Sequence, residues 1–141
     1  MCIRDRYNAY KAYGDTRIIE ENFDTMVKYL NFLDEGDVYV GVDNGDGTYG
    51  QRLEPALTTK SGGLADHLSR VSTDSNLLNN ALYGYLYKIT SEMAEAIGRD
   101  DLVDEYYEHY LDTREAWNRV YLDPETGKTQ TAASYLSLIH I

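Results

Sequence analysis

Residues 91–110, which read SEMAEAIGRDDLVDEYYEHY, decide the fold of this chain. Apolar residues recur three or four positions apart on both sides of Gly98, Met93 and Ile97 among them, and this spacing indicates two amphipathic helices. Gly98 is typical of the residue just beyond a helix end, where φ is positive. Because only residues 99–100 separate the two helices, we predict that they form an antiparallel α-hairpin.

The same periodicity extends the hairpin in both directions. Its first helix is predicted from about residue 74 to 97, and its second runs to a turn at residues 122–127, which contain a proline and a glycine. The residues of the first helix that we expect on its buried stripe are Leu78, Leu82, Tyr85, Leu86, Ile89, Met93 and Ile97. A further helix is expected to begin at residues 129–131.

Upstream, one more helix is predicted from about residue 16 to 33. The Asp15 carboxylate can accept a free backbone N–H at its start, which makes Asp15 a candidate cap. The expected buried stripe of this helix is Ile19, Phe23, Met26, Leu30 and Leu33. Residues 7–13 are compatible with the end of an earlier helix.

Between these helices the pattern changes to that of a small β-hairpin. Residues 38–42 alternate, residues 43–47 (DNGDG) are turn formers, and residues 48–51 resume an extended pattern. Residues 52–72 then have no periodic pattern, and a structureless stretch of that length is often a functional loop. The fold class predicted is mainly α, with one small β-hairpin excursion.

The two ends of the chain are related to each other. Residues 1–6 can be written as DNA whose reverse complement translates as residues 136–141. We interpret both ends as translated sequencing adapter and predict that residues 7–135 are a slice of a longer protein. Cys2, the only cysteine, then lies outside the native part, so we expect no disulfide, no cysteine-based zinc site and no thiol nucleophile.

The charge balance restricts the partners. The formal net charge is −11, and phosphate binding requires clustered Lys and Arg, so nucleic acid and anionic membrane surfaces are not expected partners. No stretch approaches the roughly 18 apolar residues that would indicate a transmembrane helix. The sequence leaves the compartment and the oligomeric state open.

Three motifs have both a functional and a structural interpretation. The acidic turn at residues 43–47 lacks both end ligands of a calcium loop, which favours a plain turn. Glu105, Glu108 and His109 could mimic part of a metal site, but their many acidic neighbours favour a solvated acidic face, and Glu92 and Glu95 are likewise expected in solvent. We therefore expect no metal. The pair Asp66 and His67, in a loop with two glycines, fits local turn chemistry or a binding loop.

The order of these features resembles the bacterial α-L-rhamnosidases of glycoside hydrolase family 78. Residues 10–17 (YKAYGDTR) resemble that family's Tyr-Gly-Asp before a helix, and residues 64–68 (LADHL) are similar to its Gly-Asp-Trp-Leu loop. Residues 94–98 (AEAIG) match an Ala-x-x-Leu-Gly helix ending. Residues 127–132 (GKTQTA) resemble the Gln-Thr start of the next inner helix. In this chain Ala65 and His67 stand where the family has Gly and Trp.

The resemblance implies a partial (α/α)6 six-hairpin toroid and inverting hydrolysis of terminal α-L-rhamnosides without a cofactor. It implies that Asp66 and His67 contact the carbohydrate substrate. It places no catalytic residue in this chain, because the family's general acid lies upstream and its general base downstream, so the chain itself is expected to be inactive. The alternatives are another (α/α)6 glycosidase, or a helical-hairpin module that binds protein.

Overall fold

The computed structural model describes residues 3–36, 38–43, 49–60 and 75–129, and for residues 38–43, 49–53 and 75 it describes the backbone only. Within these ranges the elements in chain order are α1 (Ile3–Tyr13), α2 (Arg17–Glu20), α3 (Phe23–Asp34), β1 (Val38–Asp43), β2 (Tyr49–Glu54), α4 (Ser75–Ala96) and α5 (Asp100–Tyr121). The mainly α fold with one β-hairpin is therefore confirmed. None of the described helices is long and apolar enough to cross a membrane.

The predicted α-hairpin is present as α4 and α5, the most extensively packed pair of helices described. Gly98 has φ of 73°. The N–H of Arg99 donates to the carbonyl of Ala94 at 2.8 Å, which closes the end of α4. Farther along, a Cβ added at Gly84 would lie 3.2 Å from Cγ2 of Thr113, so the two helices approach closely there. A glycine at the contact allows that approach.

The predicted stripe of α4 is correct only in part. Leu86, Ile89 and Met93 are buried as expected, but Leu82 is 37% exposed. The reason is that α4 contacts α1 and α3 as well as α5, so it is covered over most of its circumference rather than on one face. The remaining buried positions of α4 are Leu77, Asn80, Tyr83, Gly84, Tyr87, Thr90, Ser91 and Ala94.

The helix predicted from residue 16 to 33 is divided into α2 and α3. Asn22 lies at the break with φ of −122° and ψ of −2°, and its side-chain amide donates to the carbonyl of Ile18 at 2.9 Å. An asparagine side chain that bonds to the backbone of the preceding turn competes with regular helix geometry. The predicted buried stripe is nevertheless confirmed at all five positions. The N-cap is Thr16, one residue later than predicted, and it makes no side-chain capping bond, but the carboxylate of Asp15 does accept from the N–H of Arg17 at 3.0 Å.

The helix α1 begins at Ile3 and therefore includes residues that the sequence assigns to the adapter. Ile3 is 4% exposed, and Arg6 donates to the side chain of Asn22 at 2.9 Å. Gly14, with φ of 69°, turns the chain from α1 towards α2. Within the described residues, α4 and α5 form a helical hairpin, α1 packs on α2, and α1 and α3 both contact α4.

The two strands pair antiparallel with Val38 opposite Glu54 and Asp43 opposite Tyr49, which confirms the predicted β-hairpin. The second strand continues to Glu54, however, so residues 52–54, for which no regular structure was predicted, are strand because they pair with residues 38–40. Its turn, where the sequence argued against calcium, lies outside the described residues. After α5 the turn at residues 122–127 is confirmed. Its Gly127 has φ of 65°, and Leu122 and Thr129 form an isolated bridge. The further helix expected after Thr129 lies outside the described residues.

Candidate functional site

The two residues predicted to contact substrate, Asp66 and His67, lie in residues 61–74, outside the described part of the chain. The structure does describe both attachments of that segment, namely residues 54–60 before it and the first turns of α4 after it. These attachments determine where the segment leaves and rejoins the helical body.

Thr58 is bound to α4 by a reciprocal pair of hydrogen bonds. Its N–H donates to Oδ1 of Asn80 at 2.7 Å, and Nδ2 of Asn80 donates to its carbonyl at 2.9 Å. Both residues are almost completely buried, Thr58 at 1% exposed and Asn80 at 0%. The amide of Asn80 therefore replaces the backbone partner that a neighbouring strand would otherwise supply.

Two further hydrogen bonds attach the same connection to the other helices. The hydroxyl of Thr58 donates to the carbonyl of Leu33 at the end of α3, at 2.6 Å. The hydroxyl of Thr113 on α5 donates to the carbonyl of Ala56 at 3.1 Å. Residues 56–58 are consequently held by α3, α4 and α5 together, and Leu57 between them is buried.

Residues 56–58 and the side chains that hold them form an anchoring region. Glu54 and Trp117 complete it. Glu54 is buried and accepts from a guanidinium nitrogen of Arg119 on α5, and this hydrogen bond raises the pKa of Arg119. The indole Nε1 of Trp117 donates to the carbonyl of Leu77 in the first turns of α4 at 2.9 Å. Both attachments of the candidate loop are thus fixed where α4 begins and α5 ends. A loop mounted on rigid elements in this way can hold substrate contacts reproducibly.

A second polar cluster joins α3, α4 and α5. The hydroxyl of Tyr83 donates to Oδ1 of Asp34 at 3.0 Å and lies 2.9 Å from Nε2 of His109, which is itself 3.4 Å from Asp34 Oδ1. Since the single phenol proton is directed at the carboxylate, Nε2 of His109 is the donor to the Tyr83 oxygen. The imidazole also stacks on the ring of Tyr87, with centroids 3.9 Å apart.

Burial dominates the electrostatics of this cluster. It lowers the pKa of His109 below the ordinary value of 6.5, although Asp34, Asp112 and Glu105 act in the opposite direction. Burial also raises the pKa of the Tyr83 phenol. The imidazole is therefore held in its neutral form near neutral pH.

The placement of His109 corrects the sequence interpretation. Glu105 and Glu108 are exposed, as a solvated acidic face requires, but His109 is half-buried and bonded across three helices. The sequence does contain one indication of this position. His109 lies three residues after Tyr106 and four before Thr113, both buried, and this spacing places it on the buried face of α5. Its partners on α3 and α4 are distant in the chain and could not be inferred.

Glu92 is a second correction. It accepts a hydrogen bond from the hydroxyl of Tyr7 at 2.5 Å, which attaches α1 to α4, whereas Glu95 is exposed as expected. Burial, with help from Glu92, raises the pKa of Tyr7. Within the described ranges no three His, Cys, Asp or Glu side chains form a group that could hold a metal ion.

The described helices comprise one α-hairpin with further helices packed against its first helix, an arrangement that fits a domain built from helical hairpins. Residues 6–139 match the model of the bacterial alpha-L-rhamnosidase 6 hairpin glycosidase domain, and the chain belongs to this family. No curated protein and no solved structure matched the chain. The domain is a glycoside hydrolase domain, and carbohydrate is its class of substrate.

Proposed function

We propose that this chain is an interior part of the catalytic domain of an inverting α-L-rhamnosidase. The observation that supports this most directly is the family match over nearly the whole chain. The structure adds helices α1 and α3 packed against the first helix of the α4–α5 hairpin, as the helices of a neighbouring hairpin would be. The same match favours a glycosidase over a helical-hairpin module that binds protein.

In this proposal Asp66 and His67 contact the sugar. Asp66 would accept hydrogen bonds from sugar hydroxyls, and His67 would exchange a hydrogen bond with the sugar where the related enzymes present an indole. The buried pair of Thr58 and Asn80 supports this assignment, because it fixes the chain only a few residues before the segment that carries both.

The chemistry of inversion requires one carboxylic acid to protonate the leaving oxygen and one carboxylate to activate water, roughly 6.5–9.5 Å apart. We propose that both groups belong to parts of the parent protein outside residues 7–135, so that the 141-residue chain is inactive alone. No metal or organic cofactor is needed for this reaction, because acid, base and water complete it.

The experiment is to express the full-length parent and to compare its hydrolysis of aryl α-L-rhamnosides and aryl glucosides. We expect preference for the rhamnoside, release of the inverted anomer, and a fall in kcat/KM for Asp66→Ala, whereas the exposed Glu108→Gln control retains wild-type activity. Preference for the glucoside would contradict the assignment of rhamnose as the substrate sugar and would support a different (α/α)6 glycosidase. Unchanged kcat/KM for Asp66→Ala would remove Asp66 from the site.

We also propose that residues 1–6 and 136–141 derive from a sequencing adapter. The support is their reverse-complement relation. The flanking genomic DNA tests this directly: different codons at both ends would confirm it, and the same codons at both ends would overturn it.

A further inference from the structure

The cluster of Asp34, Tyr83 and His109 joins parts of the chain that are far apart in sequence. Tyr83 is 49 residues from Asp34 and 26 from His109. Asp34 is the last residue of α3, and β1 begins at Val38. Whether this cluster is formed or broken therefore affects how firmly the start of the β-hairpin is attached to the helices.

The groups that face His109 come from all three helices. Asp34 approaches from α3, Tyr83 and Tyr87 approach from α4, and Glu105 and Asp112 act from α5 itself. The side chain of Asp34 is 51% exposed, whereas that of His109 is 29% exposed and lies flat on a buried tyrosine ring. Solvent thus screens the attraction of the carboxylate, while the imidazole has lost much of its own hydration.

We propose that Asp34, Tyr83 and His109 form a pH-sensitive latch that holds the C-terminal end of α3 on the α4–α5 hairpin and releases it as the pH falls. The neutral imidazole donates to Tyr83 and stacks on Tyr87 without burying a charge. A protonated ring recovers its hydration only when the cluster opens. Opening frees the Asp34 side chain and so removes one attachment of the end of α3, which the Thr58–Leu33 hydrogen bond also holds.

The direction of the pH effect follows from the difference between the His109 pKa in the folded and unfolded states. Burial places the pKa of His109 in the folded protein below the value near 6.5 of an unfolded histidine. Between those two pKa values the open state binds the additional proton, so acidification favours opening. Above about pH 6.5 both states carry a neutral imidazole, and the latch is fully closed.

The test uses the 141-residue chain and two measurements. Imidazole proton chemical shifts are followed by NMR against pH, with His109 assigned by its loss in His109→Gln. Hydrogen exchange of residues 27–36 is compared with that of α4 and α5 at pH 7.5 and 5.5, after correction for intrinsic exchange rates. We expect a His109 pKa below 6.5 and a selective loss of protection in residues 27–36 at the lower pH.

Two variants distinguish a latch from simple packing. His109→Gln retains an N–H donor but cannot titrate, so its protection of residues 27–36 should no longer depend on pH. Asp34→Asn removes the carboxylate that favours the imidazolium in the closed state, so the His109 pKa should fall further below 6.5 and the loss of protection at pH 5.5 should become larger. A His109 pKa at or above 6.5 would overturn the proposal, as would the same pH response in His109→Gln and wild type.

Discussion

Asn80→Ala removes the most buried polar side chain of the anchoring region. The substitution leaves the N–H and the carbonyl of Thr58 without partners in a site that water does not reach. Each buried backbone group left unsatisfied costs about 1–3 kcal/mol, so the free energy of unfolding should fall by about 2–6 kcal/mol. The better helix propensity of Ala offsets only about 0.5 kcal/mol of this loss. Since the total free energy of unfolding of a small domain is about 5–15 kcal/mol, this loss is a large fraction of it.

The assay is urea unfolding followed by far-UV circular dichroism. With m of about 2 kcal/mol/M, the midpoint should fall by roughly 1–3 M while m stays constant. Asn79→Ala is the matched control, because Asn79 lies on the same turn but is only half-buried. It should change the free energy of unfolding by no more than about 0.5 kcal/mol. An Asn80→Ala variant as stable as this control would refute the argument that the amide bonds hold residue 58.

Asn80→Asp separates the hydrogen bonds from side-chain volume. A carboxylate has nearly the same shape and can still accept from the N–H of Thr58, but it cannot donate to the Thr58 carbonyl. It also brings a charge into a fully buried position. We expect a loss of stability at pH 7 at least equal to that of Asn80→Ala. Part of that loss should be recovered on acidification, because burial favours the neutral acid.

Further substitutions test other contacts by the same unfolding assay. Gly36→Ala places a Cβ 2.5 Å from Oγ1 of Thr58 and should lower the free energy of unfolding by about 1–3 kcal/mol. Arg119→Met removes the guanidinium that bonds to the buried carboxylate of Glu54 and should lower the midpoint of urea unfolding, by less than the loss of a fully buried pair would because Arg119 is half-exposed. Adding Glu54→Gln to that variant should restore part of the loss. Tyr7→Phe removes the hydroxyl bonded to a glutamate on α4 and should cost about 0.5–1.5 kcal/mol, and no loss would mean that this bond does not attach α1.

Sequence periodicity predicted the structure correctly where the local backbone geometry determines it. Gly98 marks the end of α4 because a left-handed backbone there requires a residue without a Cβ, and that requirement is visible in the sequence. The stripe of α2 and α3 was also correct, because these helices bury one face and expose the other. The β-hairpin followed from alternation around a glycine-rich turn.

Periodicity failed where contacts from several directions decide burial. The helix α4 is covered by three neighbours, so its apolar pattern does not single out one face, and Leu82 was wrongly placed inside. The break at Asn22 depends on a side chain that bonds to its own helix, which competes with a regular helix in a way that propensity does not resolve. The inward position of His109 depends on residues of α3 and α4 that no local window contains.

The buried polar residues of α4 and α5 have a common cause in the connection that follows the β-hairpin. In the described part of the chain no strand pairs with residues 56–58, yet Leu57 and Thr58 are buried and their backbone groups require partners. Asn80 and Thr113 supply those partners from the helices, and this explains polar side chains at positions that packing alone would fill with apolar ones. The helices therefore determine the position of the chain just before residues 61–74. On the proposed function, substitution of Asn80 should lower both the stability of the parent enzyme and its turnover of rhamnoside, whereas Tyr7→Phe should lower stability alone.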